Sequence, residues 1–71
     1  MGTFVKFYMT DRNGSLDAYI PNSTPDALNL AWNDAVNSEN VMFNLTDKNG
    51  SRLAVSISKV DMLVCVAWNG V

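Results

Sequence analysis

The sequence predicts an α+β domain of order β-β-α-β-β-β, in which two Asn-Gly hairpins form an antiparallel sheet and one helix packs on it. Three observations carry that prediction. The segment Thr10-Asp11-Arg12-Asn13-Gly14-Ser15 recurs as Thr46-Asp47-Lys48-Asn49-Gly50-Ser51, 36 residues later, and each copy lies between alternating apolar residues. Between the copies, Pro25 to Val36 carries apolar residues at helical spacing. After the second copy, Met62 to Trp68 is an unbroken apolar run. The chain has 71 residues, enough for one domain spanning 1–71. A domain of this size buries only about 60% of the surface of its unfolded chain, so a second copy of the chain is one way to complete its core.

Asn-Gly flanked by alternating apolar residues is a strong hairpin signal, because Asn tolerates a positive φ and Gly adopts one at no steric cost. In the first hairpin a two-residue Asn13-Gly14 loop pairs Arg12 with Ser15, Met9 with Ala18, Tyr8 with Tyr19 and Phe7 with Ile20. One face then carries Val5, Phe7, Met9, Leu16, Ala18 and Ile20. The other carries Phe4, Lys6, Tyr8, Thr10, Asp17 and Tyr19. The same loop in the second hairpin would put Leu53, Val55 and Ile57 on the face opposite Phe43 and Leu45. A three-residue loop, Asn49-Gly50-Ser51, restores the sorting, pairing Lys48 with Arg52, Leu45 with Val55 and Phe43 with Ile57. Type I turns followed by a glycine bulge make such loops. The matches at the 36-residue spacing extend to Val5/Val41, Phe7/Phe43 and Ala18/Ala54, and to Ala31-Trp32-Asn33 against Ala67-Trp68-Asn69. That pattern suggests an internal duplication.

Ser23 or Thr24 can cap the helix, Pro25 suits its first position, and Asp26 suits its positive end. Ala27, Leu28, Ala31, Trp32, Ala35 and Val36 make the apolar stripe, opposite Asn29, Asn33, Asp34 and Asn37. Packing through Leu28, Trp32 and Val36 is expected, with an end between Asn37 and Asn40. Asp61 beside Lys59 reads as a loop before the last element. Met62 to Trp68 reads as a strand buried on both faces, because Val64 and Val66 favour a strand; a short buried helix is the alternative, since the matching Trp32 is helical. Asn69-Gly70 closes the domain.

Five basic residues against seven acidic ones give a net charge of −2. That is no footprint for duplex nucleic acid or an anionic membrane. No apolar run approaches a membrane span, and the first residues lack a signal-peptide pattern, so a cytoplasmic location is expected. Four Asn-X-Ser/Thr triplets occur, at Asn13, Asn22, Asn44 and Asn49, and read as turn and strand chemistry.

There is no histidine, and Cys65 is the only cysteine, so the chain can form no internal disulfide. A lone thiol between Val64 and Val66 has neither base nor cation to activate it, and it cannot hold zinc. Asp11 and Asp47 precede the two turns and read as caps of turn N–H groups. The remaining carboxylates, Asp17, Asp26, Asp34, Glu39 and Asp61, form no group. No glycine-rich loop precedes a helix. The expectation is a chain with no catalytic residue, metal or cofactor.

The outer face of the first hairpin carries the candidate site: Phe4, Tyr8 and Tyr19 with Lys6 between them. The run Met62 to Trp68 is the other candidate interface anchor, because one helix cannot cover both faces of a sheet and a second subunit is the economical cover. Exposed aromatics beside a cation form protein interfaces, and they also stack nucleobases. A covering loop or terminus is the third possibility. If a ligand carries phosphate, Arg12, Lys48 and Arg52 join Lys6 as its contacts. The segment Asn49-Gly50-Ser51-Arg52-Leu53-Ala54-Val55-Ser56-Ile57-Ser58-Lys59-Val60-Asp61-Met62-Leu63, a Gly-led strand followed by a Val-led one, resembles small β-rich accessory proteins of bacteria and their phages. The resemblance implies a small accessory or regulatory protein, such as a phage-encoded inhibitor, and transfers no site residue. Taken together, the expected role is a non-catalytic binding protein acting by protein–protein contact as a homo-oligomer. The alternative is a small-ligand, nucleotide or single-stranded nucleic-acid binder that uses the aromatic face.

Overall fold

β1 (Gly2–Met9) turns back into β2 (Ser15–Pro21), α1 (Pro25–Asn37) follows, β3 (Met42–Thr46) and β4 (Arg52–Ser56) form a second hairpin, and β5 (Val60–Trp68) is the last element among the described residues. The structure is a computed structural model that describes residues 1–69. Gly70 of the Asn69-Gly70 terminator lies outside the described residues. The element order is the predicted one. The strands, however, divide into two antiparallel sheets, β2-β1-β5 and β3-β4. β5 passes over the second hairpin and pairs with β1, so the first hairpin gains a third strand and the second stays separate.

Both hairpin registers differ from expectation by an even number of residues, which preserves the faces. In the first, Phe4 pairs with Tyr19, Val5 with Ala18 and Phe7 with Leu16, and the ladder closes at Tyr8 and Ser15. The two-residue turn does not form: the ladder with β2 stops at Tyr8, while the chain beyond it stays alongside β5 and the turn before it. Met9 pairs with Val60, the Thr10 N–H donates to the Lys59 carbonyl at 2.8 Å, and Asp11 makes an ion pair with Lys59 at 3.3 Å. In the second hairpin Phe43 pairs with Val55 and Leu45 with Leu53. The loop has three residues, but they are Lys48-Asn49-Gly50. The Asp47 N–H donates to the Ser51 carbonyl at 2.9 Å, the Gly50 N–H donates to the Asp47 carbonyl at 3.0 Å, and Gly50 has φ +84°. The bulge needs its left-handed residue last, and Gly50 supplies it, so the loop sits one residue earlier than predicted. The Asp47 carboxylate accepts from the N–H groups of Asn49 and Ser51, as its turn position predicts.

Thr24 caps α1, its hydroxyl accepting from the Ala27 N–H at 3.1 Å, while Ser23 turns back to the Ile20 carbonyl. The helix closes in a Schellman motif. The Glu39 N–H donates to the Val36 carbonyl and the Asn40 N–H to the Ala35 carbonyl, with Glu39 left-handed at φ 59°. Leu28 and Ala35 are buried and Trp32 is half-buried. Val36 is 44% exposed and Ala27 and Ala31 are exposed, so the packing stripe is narrower than predicted and runs through Leu28, Trp32 and Ala35.

β5 is a strand throughout, which rules out the helical alternative, and it is not buried on both faces. It occupies a sheet edge, where only one of its faces meets the core, through Leu63 and Cys65. Asp61 lies inside the strand, where the register with β1 shifts, and Lys59 ends a short 3-10 turn (Ile57–Lys59). The core joins Val5, Phe7, Ala18 and Ile20 to Leu28 and Ala35 of α1 and to Phe43 and Val55 of the second hairpin. Phe7 is its centre: it is 0% exposed, 6.2 Å from the Trp32 ring and 6.4 Å from the Phe43 ring. Trp32 meets Phe43 edge-on at 5.2 Å. Phe7→Ala leaves a void where three elements meet and should cost about 3–5 kcal/mol, against less than about 1 kcal/mol for Val36→Ala. Urea denaturation of the two variants measures the difference.

Candidate functional site

Alternation in β1 sends Thr3, Val5 and Phe7 inward and Phe4, Lys6 and Tyr8 outward. The predicted cluster therefore exists, and β5 enlarges it. Cross-strand pairing places Met62 beside Tyr8, Val64 beside Lys6, Val66 beside Phe4 and Trp68 beside Gly2. Gly2 is there because nothing larger fits. A Cβ on it would stand 2.4 Å from the Ile20 carbonyl oxygen and 3.0 Å from the Trp68 ring. With that space empty, Trp68 folds over Gly2 and reaches Tyr19.

Three rings form a continuous row. Phe4 and Tyr19 lie 4.7 Å apart, and Tyr19 and Trp68 lie 4.9 Å apart, all tilted. Cations flank the row at both ends. The Lys6 ammonium is 5.6 Å from the Phe4 ring centre, and that of Lys48 is 5.0 Å from Tyr19 and 5.5 Å from Trp68. Both sit at cation–π distance. The turn of the second hairpin delivers Lys48: its N–H donates to the Tyr19 carbonyl at 2.8 Å, fixing the turn against the edge of β2. The face is open to solvent, with Tyr19 38% and Met62 and Val66 each 52% exposed.

Of the other predicted residues, Tyr8 lies on the same face, half-buried beside Met62. Thr10 leaves the face to join the loop that bonds to Lys59. Arg12 is exposed in the β1–β2 loop, at the far end of the sheet from Lys48. Arg52 lies in the second hairpin, where it helps line an open depression of about 350 Å³ with Asn44, Leu45, Thr46, Leu53 and Ala54. Lys48 alone of the three proposed phosphate contacts therefore joins the aromatic face. The sequence offered the run Met62 to Trp68 only as a separate interface anchor; the pairing of β5 with β1 puts Met62, Val64, Val66 and Trp68 on the same face as Phe4, Lys6 and Tyr8. A glycine in the central strand is the one local sign that a large ring must lie nearby.

Asp11 and Asp47 do different work, one in an ion pair with Lys59 and one closing its turn, so the expected turn cap at Asp11 is replaced by the ion pair. Cys65 is half-buried, and that burial pushes its thiol above the usual value, away from the reactive thiolate. Among the described residues no three His, Cys, Asp or Glu side chains gather, and no helix is long and apolar enough to cross a membrane. Comparison with protein-family models, curated proteins and solved structures returns no match.

Lys48→Gln keeps the backbone bond to Tyr19 but removes the ammonium from both rings. The expected loss is about 0.5–1 kcal/mol of stability with a change in tryptophan emission. Urea titration followed by fluorescence measures both, and wild-type values in the variant would show that the cation does not hold the ring row.

Proposed function

We propose that the chain is a non-catalytic binding protein that acts by contact with another protein, through the outer face of the β2-β1-β5 sheet, and that it works as a homo-oligomer. The observation that carries this reading is the open row of Phe4, Tyr19 and Trp68, extended by Tyr8, Met62, Val64 and Val66. Contiguous exposed apolar surface marks interaction sites, and Tyr, Trp, Phe and Met are enriched in protein interfaces. Aromatic anchors of this kind carry most of the binding energy where they are found. A binding role of this type accommodates an inhibitor, which needs only to occupy its target.

Lys6 and Lys48 on the rings favour one second reading, the capture of a nucleotide or a short single strand by stacking. Two features weigh against it. The net charge is −2, and Asp17 lies directly across from Lys6 on the same face. Arg12 and Arg52 stand apart from the ring row, so phosphates would meet only the two lysines.

The double variant Tyr8→Ser, Tyr19→Ser tests the face, because both side chains lie outside the core and the fold should persist by circular dichroism. Affinity capture from extracts of the source cells should retain a protein with the wild-type chain and lose it with the variant. Equal capture by both chains would remove the aromatic face from the account. Tryptophan quenching by an oligo(U) probe, weakening steeply with salt, would instead establish the second reading.

A further inference from the structure

The two edges of the three-stranded sheet are finished differently. At the β2 edge, the Tyr19 carbonyl already accepts from Lys48, and Pro21 ends the strand. At the β5 edge, the alternation of backbone bonds leaves a row of groups free. The Asn22 N–H donates to the Met1 carbonyl, so odd-numbered residues of β1 bond toward β2. Even-numbered ones therefore bond toward β5, in agreement with the Thr10 N–H donating to Lys59. Their partners are Met62, Val64, Val66 and Trp68. The N–H and C=O groups of Leu63, Cys65 and Ala67 consequently point away from the sheet. Among the described residues no loop or turn bonds to these three.

A strand edge of this kind is normally defended by lysine, proline, or a covering segment. β5 spans nine residues, contains no proline or basic residue, and carries one charge, Asp61, near one end. Unpaired, regularly spaced donors and acceptors fit one kind of partner, another extended strand.

We propose that this partner is β5 of a second copy, paired antiparallel about a two-fold axis at Val64, so that two sheets join into one. The strand is complementary to itself in this arrangement. Leu63 and Cys65 of one copy face Cys65 and Leu63 of the other and exchange their free N–H and C=O groups. Asp61 meets Ala67 of the other copy. A parallel pairing in register would set the two Asp61 carboxylates side by side, and like charges placed so destabilise a sheet. Met62 meets Val66 and Val64 meets Val64, which merges the two outer faces into one broader apolar surface. A two-fold interface of this type closes after two chains. The inference rests on the self-association in the proposed function and names the surface that produces it.

Native mass spectrometry and sedimentation test it on the whole chain. The wild type should appear at twice the 7.8 kDa chain mass. In Val64→Glu the new carboxylate lies across from Lys6 within its own chain, which the fold accommodates, but faces its own copy across the axis. Its dimer dissociation constant should rise about tenfold or more. Mixing Val64→Glu with Val64→Lys should restore a mixed dimer. Ala67→Pro removes only an N–H that the single chain does not use. It should also weaken the dimer, so the pairing is tested even if Val64→Glu fails to fold. A wild-type dimer that neither variant weakens would overturn the edge pairing while leaving self-association standing. A wild-type monomer at all concentrations would overturn both.

Discussion

β1 is bonded on both sides, and this one strand assigns every residue of the sheet to the core or to the surface. Its inward side chains, Thr3, Val5 and Phe7, are among the most buried in the chain. Its outward ones, Phe4, Lys6 and Tyr8, form the middle of the aromatic face. α1 and the second hairpin both pack on the inward side, through Leu28, Ala35, Phe43 and Val55 around Phe7. The single helix and the short hairpin are spent on that side, and the other side is left to the rings and two lysines.

The same strand explains why some features were legible in the sequence and others were not. Face assignment depends only on whether a register is shifted by an odd or an even number of residues. Both registers are shifted evenly, so Phe4, Lys6, Tyr8 and Tyr19 were legible as one face although their partners were not. The loops were less legible because their closure depends on distant residues. Met9, Thr10 and Asp11 are drawn toward Val60 and Lys59, nearly fifty residues away in the chain. By contrast, the second loop falls within one residue of its predicted place, since Asp47 and Gly50 decide it locally. β5 was legible as a strand but not in its position. An apolar run with no alternation reads as buried on both faces, and only its pairing with β1 reveals that it lies at an edge. Trp68 and the valines of that run were legible as an interface anchor but not as neighbours of Phe4 and Tyr19, and Lys48 reaches that face only because its turn docks on Tyr19.

The sheet thus presents two surfaces of different chemistry. The outer face offers ring edges, methyl groups and two ammonium groups, suited to side-chain contact. The β5 edge offers backbone donors and acceptors, suited to strand pairing. They meet along Met62, Val64 and Val66, so pairing at the edge would double the face without covering it. In this account a small chain gains area for binding through association rather than through length.

Amide hydrogen exchange along β5, followed by NMR over a range of protein concentrations, tests the assignment of that strand most directly. At low concentration the amides of Val64 and Val66 should exchange slowly and those of Leu63, Cys65 and Ala67 quickly, with protection of the second set rising as concentration increases. Uniform protection at every concentration, or faster exchange at Val64 and Val66 than at Leu63 and Cys65, would contradict the placement of β5 as an open edge bonded to β1 through its even-numbered residues.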